Sequence, residues 1–509
     1  MTRVIGMKTS LNLLILIAVV AAASGLPQAR RSTPTIWDEG QLRDWATPVA
    51  ALGVRPAHYP ANQYYASPVE NLRTYPVYPP DREPAGYWEW LQKQTPQPLV
   101  DAAAMRTDAD WTKAGERAFR EIDVVFARSA DPELIRRARD PRTFDGVLTL
   151  ADGSVPDPRW VVTNQGLMLT LSDCSSCHVS IRPDGSTLNG SPVIPWTQPG
   201  VTLRASAIGP AEFLPLQYSR MFKGDSLGVA FWRMVATPWI PDDRVERLRA
   251  ITSLSEMGTY FPNGKGGTLR TNGSPFYNAK VPDLHTLRFY KYLDATGTHR
   301  LRGPEDVARY IGQITGADPL QFGAHDMRTA DQRSVQFHFA DEVLYAIAKY
   351  LLSLEPLRNP DRPNGLTVAK GALAFEKAGC AACHLPPDYT NGKLTPALGF
   401  TVPVNHPNRQ DIMTIGVGTD NGLAMKTRKG TGLYKVPSLR GVWSRQFLLH
   451  DGSVSTLEEL FDARRLSADH VPGGWSVPGA RTGGIPGHVF GLDLSDEEKT
   501  ALIAFLRQL

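Results

Sequence analysis

Two short stretches constrain this chain more than anything else in it. "LSDCSSCHVS" (Leu171–Ser180) and "KAGCAACHLP" (Lys377–Pro386) each carry two cysteines separated by two residues, with a histidine directly after the second. Together they use all four cysteines of the chain. Any fold must therefore place two thiols and an imidazole on one short turn, and do so twice.

Three chemistries use such a turn. The first is covalent haem attachment. Two thiols one helical turn apart add to the two vinyl groups of a c-type haem, and the next residue, a histidine, offers a ring nitrogen to the iron. On this reading Cys174, Cys177, Cys380 and Cys383 attach two haems, and His178 and His384 are the proximal iron ligands. The second is a tetrahedral zinc site built from both pairs, but zinc does not require both histidines. The third is a thioredoxin-like redox pair, which needs neither the duplication nor the histidine. Haem accounts for every residue of the pattern; zinc and redox thiols stay as alternatives.

The N-terminus bears on the same question. Arg3 and Lys8 precede an apolar run from Leu11 to Val20, and small residues follow from Ala21 to Gly25. This is the three-part pattern of a secretory signal, with cleavage expected within Ala22–Ala29 and residues 1–29 removed. A retained membrane anchor is the alternative, but a hydrocarbon core of roughly 30 Å needs about 20 apolar residues. The expected location is periplasmic or secreted, with no membrane-spanning segment in the mature chain. An oxidising compartment favours disulfides. A disulfide within either motif would close a tiny strained loop and leave its histidine unexplained. The net charge of +4 over 509 residues argues against a nucleic-acid partner.

The 44 glycines and 41 prolines imply long irregular loops. Residues 30–110 are rich in Pro and Tyr and read as an extended wrapping segment. Helical periodicity begins at Trp111 and runs towards Arg139, and a second helix is expected within Phe339–Pro356. Residues 111–356 form the first expected unit, 357–367 a linker and 368–509 the second unit. The second unit leads with a helix carrying Gly371 and Phe375. It ends on a helix with a Ser495/Glu498 capping box and a buried face of Leu502, Phe505, Leu506 and Leu509. A small residue such as Gly371 allows a close helix crossing. The expected fold class is mainly α with extensive irregular loops, as two cytochrome c-like haem domains.

Specific motifs support a family resemblance. "KGTGLYKVPSLRGVWSRQFLLHDGSVSTLEELFD" (Lys429–Asp462) and "GHVFGLDLSDEEKTALIAFLRQL" (Gly487–Leu509) resemble segments of the bacterial di-haem cytochrome c peroxidase and MauG superfamily. "GSPFYNAKVPDLHTLRFYKYLDATGTHRLRGPEDVARY" (Gly273–Tyr310) is more similar to the branch containing the di-haem rubber oxygenases. The resemblance implies a haem enzyme that uses peroxide or dioxygen at one open iron, while the second haem stores or passes electrons. A pure electron-transfer cytochrome is the alternative.

In the peroxidases a distal histidine follows the first haem motif, yet here no histidine occurs between His178 and His285. The first iron is therefore expected to be open or water-bound, with Met221 as a weaker substitute ligand. The peroxidase methionine of the second haem is missing too. His488 is the preferred distal ligand there and His450 its rival. Trp196, Trp232 and Trp239 are candidate electron relays, and Glu212, Glu256, His285 and His299 are candidate acid–base groups. Asp451 and Arg440 are candidates near the haem propionates. The partners implied are a small redox protein or quinol-linked donor and a small oxidant, peroxide or dioxygen. A cleaved polymer such as rubber is one substrate on the oxygenase branch. No bridging calcium is predicted.

Overall fold

The computed structural model describes residues 33–147, 149–182, 184–192, 222–260, 267–268, 274–361, 363–477 and 480–509. The expected signal peptide, Trp196, Glu212 and Met221 lie outside the described residues.

Two pairs of crossed helices organise the interior. Helix α1 (Asp108–Glu121) starts at a capping box in which Thr107 and Asp110 bond each other's backbone N–H groups. It buries Trp111, Ala114, Gly115, Ala118 and Phe119, one stripe at helical spacing. Helix α2 (Asp341–Ser353) lays Val343, Leu344, Ile347, Tyr350 and Leu351 against it. The contact is close because Gly115 lacks a side chain. A Cβ there would lie 1.9 Å from the carbonyl oxygen of Ala346.

The second pair repeats this device. Helix α3 (Gly365–Lys377) is capped by Asn364, whose side chain accepts from the Leu366 N–H. Helix α4 (Asp496–Gln508) carries the expected Ser495/Glu498 capping box. They cross at Gly371, where a Cβ would meet the Ala501 carbonyl oxygen at 2.0 Å and Phe505 Cβ at 2.6 Å. Ala501, Leu502, Ile503 and Leu506 are the buried residues of α4, whereas Phe505 and Leu509 are half-buried at the margin. The first Cys-x-x-Cys-His motif lies in sequence between α1 and α2, the second between α3 and α4.

Strands fill much of the rest. β1 (Thr74–Val77), β2 (Val155–Thr163) and β3 (Gly166–Thr170) form an antiparallel sheet in which Thr74 pairs with Val161 and Trp160 with Leu169. The β-branched and aromatic run at Trp160–Val162 is nearly fully buried and packs on Tyr75, Val77 and Leu91. β4 (Leu394–Pro396) pairs with β5 (Leu433–Lys435), placing Thr395 opposite Tyr434 and Leu394 opposite Lys435. The segment before α1 makes bridges far along the chain. Val69–Glu70 runs parallel to His338–Phe339, and Ala46 and Pro56 bridge to His299 and Phe322.

These findings correct the expected fold class. Helix accounts for 36% of the chain and strand for 13%, so the protein is not mainly α, and a division into two cytochrome c-like haem domains is not what it displays. The helical periodicity that suggested such a fold is real but local, strongest in α1–α4 and repeated in shorter helices such as Pro132–Ala138, Leu227–Val235 and Pro304–Gly312. Between them the chain is cut into short pieces by proline and glycine, and runs such as Trp160–Val162 favour pleated structure. The helical pattern begun at Trp111 also ends early. Ile122 turns extended, and Val124 N–H donates to the Leu171 carbonyl at 2.9 Å. Among the described residues no helix is long and apolar enough to cross a membrane.

Candidate cofactor site

The two motifs fold into the same turn. In the first, the N–H groups of Cys177 and His178 both donate to the Cys174 carbonyl, at 3.3 and 3.1 Å. In the second, Cys383 and His384 donate to the Cys380 carbonyl at 3.2 and 2.9 Å. No disulfide joins any of the four cysteines. Both turns open into one cavity of about 320 Å³, whose wall includes Cys177, His178, Cys380, Cys383 and His384.

At the second motif a second imidazole faces the first. The His384 and His488 rings have centroids 6.5 Å apart at an interplanar angle of 56°. A metal held by both through bonds of about 2 Å would set the centroids of collinear rings about 6.2 Å apart. The pair therefore fits an iron between two imidazoles. The His384 ring is oriented from behind, and His488 is positioned through its backbone. His384 Nδ1 pairs with the Tyr389 carbonyl oxygen at 3.1 Å, which turns Nε2 the other way. His488 sits in the left-handed region (φ 48°) after Gly487. A Cβ on Gly487 would press to 2.6 Å on the Gly418 backbone, so only glycine lets these two loops touch. His488 N–H donates to the Val417 carbonyl at 2.7 Å.

Arg465 fixes the loop from the other side. Its side chain is fully buried, and its guanidinium donates to the carbonyls of Leu460, Ile485, Gly487 and His488. Burial pushes His384 down to about 4, with repulsion from His488 adding to it. Burial likewise takes His488 to about 4, reinforced by Arg465. Both rings are thus kept neutral, the form that binds a metal.

His450, the rival ligand, also lines the cavity but is engaged elsewhere. Its Nε2 lies 3.2 Å from Asp420 Oδ2 and its ring packs on Tyr434 with centroids 4.6 Å apart. Burial opposes its charged form, but Asp451 and Asp420 outweigh burial and raise its pKa. The ligating atoms of Asp420, His450 and Asp451 lie within 4.8 Å of one another.

Around the first motif, His178 is buried and its carbonyl accepts from Gly190 N–H at 2.7 Å. Gly190 in turn packs against His285, leaving only 3.3 Å for a Cβ next to His285 Cε1. His285 Nδ1 is 2.7 Å from Asp283 Oδ1, and Asp283 Oδ2 is 3.2 Å from Arg445 Nε. Despite burial, the bond to His285 and the charge of Arg445 hold Asp283 at about 2.

The other sequence candidates lie apart from the cavity. Glu256 is exposed on its own short helix. His299 is packed against Trp45, centroids 4.2 Å apart. Trp232 carries the Arg249 guanidinium 3.6 Å from its ring centroid, and Trp239 packs on Phe322. Arg440 is half-buried and is not part of the cavity wall; its carbonyl accepts from Arg445.

Sequence reasoning did not single out Arg465, Lys280, Lys435, Arg445 or Tyr290. Lys435 and Arg445 stand inside the motif-bearing stretch Lys429–Asp462, and their basic character amid apolar neighbours was the available signal. Met413 was missed as well. Its Sδ is 3.8 Å from Cys383 Sγ and accepts from Asn391 Nδ2 at 3.1 Å.

No family model matches the chain and no curated protein matches it. Solved structures resemble parts of it. The hydrazine synthase of Kuenenia stuttgartiensis is 17% identical over 47% of this chain and 74% of its own, with a TM-score of 0.27. A MauG-like protein associated with microbial copper homeostasis is 18% identical over 49% of this chain and 80% of its own, TM-score 0.29. A variant of the diheme peroxidase BthA from Burkholderia thailandensis is 17% identical over 50% of this chain and 77% of its own, TM-score 0.25. The latter two are described with names of the grouping that the motifs resemble, but TM-scores this low do not establish a common overall fold.

Proposed function

We propose that this chain is an exported di-haem c-type oxidoreductase that uses peroxide or dioxygen at the His178 centre, with the His384 centre serving electron transfer or storage. Cys174 and Cys177 would hold one haem and Cys380 and Cys383 the other, with His178 and His384 as proximal ligands and His488 as the distal ligand at the second. A haem iron supplies electron transfer when both axial positions are taken, and a site for a small oxidant when one is open.

The observation that carries this reading is the 6.5 Å spacing of the His384 and His488 rings. Desolvation keeps each neutral, and each is tethered through a backbone carbonyl, His384 by its ring and His488 by its N–H. A pair of imidazoles gives a lower potential than a histidine and a methionine. That suits a centre that passes electrons rather than one that stores a strong oxidant. At the first motif, Asp283 pairs with His285, and Gly190 packs against His285 while bonding the His178 carbonyl, so His285 lies beside the backbone of the His178 turn. The Gly273–Tyr310 stretch favours the rubber-oxygenase branch, with dioxygen as oxidant and a hydrocarbon polymer as substrate class. Electrons would come from a small redox protein or a quinol-linked donor.

The test uses protein from a host able to mature c-type cytochromes. The intact mass should exceed that of the polypeptide by two haems. The ferric electron paramagnetic spectrum should contain one low-spin and one high-spin species. Two low-spin species would replace this reading with pure electron transfer. A colourless protein with no mass gain would end the haem reading and leave zinc or redox thiols.

A further inference from the structure

Basic side chains gather in the wall of the shared cavity, and two of them lack an acidic partner. Lys280, Lys429, Lys435 and Arg445 all line it. Asp294 and Asp283, the acidic residues facing the same space, answer two of these cations. Lys429 Nζ lies 3.4 Å from Asp294 Oδ2, and Arg445 Nε lies 3.2 Å from Asp283 Oδ2. Lys280 Nζ donates to the Phe447 carbonyl at 2.9 Å. Lys435 Nζ sits 3.8 Å from the Tyr290 ring centroid. Among the described residues neither lysine makes an ion pair with a carboxylate.

Three separate stretches of chain bring this about. Lys435 ends β5, whose pairing with β4 fixes the direction of its side chain. Lys280 belongs to a two-residue strand whose backbone N–H donates to the His450 carbonyl at 3.1 Å. Arg445 is anchored by the Ser438 and Arg440 carbonyls at 2.7 and 2.8 Å. Neighbouring cations in a poorly hydrated space repel, and each is costly without an anion. Burial first, then Arg445, lowers Lys280 to about 8, against the smaller opposing pull of Asp283 and Asp451. Burial also lowers Lys435 to about 8, opposed by Asp294 and reinforced by Arg445 and Lys280. The cluster thus carries an unmet demand for negative charge, directed into the space that both motifs border.

We infer that Lys280 and Lys435, braced by Arg445, form a carboxylate-receiving wall between the two motifs, and that its occupants are haem propionates. This rests on the haem reading above. Carboxylate is the chemistry the wall selects, because ammonium and guanidinium groups make their strongest hydrogen bonds to ionised oxygen. The other source of a carboxylate is a free organic acid entering as substrate.

The experiment uses the mature holoprotein, with the variants Lys435→Gln, Lys280→Gln and Lys435→Arg, and the exposed Lys370→Gln as control. Spectroelectrochemical titration gives the midpoint potential of each haem, and intact mass gives haem content. A fixed cation near a propionate favours the reduced haem. Both glutamine variants should therefore show a lowered midpoint potential in at least one haem with both haems retained. Lys435→Arg and Lys370→Gln should match the wild type. Unchanged potentials in both glutamine variants at full haem content would overturn the inference. So would a Lys435→Arg protein shifted as far as Lys435→Gln, since that would mark a structural disturbance rather than a lost charge. Benzoate added to the wild type separates the sources. A saturable spectral shift that the glutamine variants lose would assign the wall to an external acid and overturn the propionate assignment. A wild type without haem mass would fail earlier, at the haem reading itself.

Discussion

His488, the proposed distal ligand, illustrates how a ligand position can be shaped by residues that would never touch the metal. Its backbone is held left-handed, which costs a non-glycine residue of order 1 kcal/mol or more. What holds it there is Arg465, whose guanidinium reaches four carbonyls of the surrounding loops. Replacing Arg465 by Lys keeps a charge but loses the fork that spans those carbonyls. We expect Arg465→Lys to convert part of the low-spin signal of the second centre to high-spin, read by electron paramagnetic resonance, and His488→Ala to convert all of it. His488 stood out in the sequence because it was the histidine just before the final helix and the second motif lacked a methionine partner. Arg465 did not, because its role comes from contacts with residues twenty and more positions away that only the folded loops bring together.

The helix pairs were legible in unequal measure. The Ser495/Glu498 box, the periodicity of α2 and the small residue at Gly371 are local signals, and each has its counterpart in the structure. Gly115 was not singled out, although it lies on the apolar stripe of Trp111, Ala114, Ala118 and Phe119, because the stripe shows a buried face and not how closely a partner approaches it. β1 and β2 went unread because Pro76, Pro156 and Pro158 interrupt them, and β3 because its buried run is short. The crossings can be tested directly. Gly371→Ala forces a methyl group into the Ala501 backbone and should destabilise the protein by about 1–3 kcal/mol, as overpacking does. Gly115→Ala should do the same at the other pair. Gly365→Ala, at the open start of α3 with nothing near its Cβ, should be neutral or slightly stabilising. Denaturant unfolding followed by far-ultraviolet circular dichroism would rank the three.

Across the molecule, the segment before α1 ties distant parts together, and one of its contacts carries a pH dependence. Trp45 covers His299, which is buried and pushed down to about 3 by burial and by Lys429. In the unfolded chain this imidazole titrates near 6.5, so its neutral form is favoured by folding. That contribution is complete above pH 6.5 and is lost as the pH falls towards 3, a total on the order of 5 kcal/mol. His299→Gln should therefore flatten the decline in unfolding free energy between pH 6.5 and 4, measured by denaturant titration at each pH. His299 was weighed in the sequence as an acid–base group. Its place under Trp45 depends on a bridge between Ala46 and His299 that no local pattern announces.

That the two Cys-x-x-Cys-His turns open into one chamber has a consequence for biogenesis. If each motif carries a haem as proposed, the two groups would share that chamber, and attachment at one site is expected to depend on attachment at the other. On that reading, a molecule that misses one attachment would keep part of the chamber unfilled. Such half-finished molecules should be the ones a cell's proteases find first.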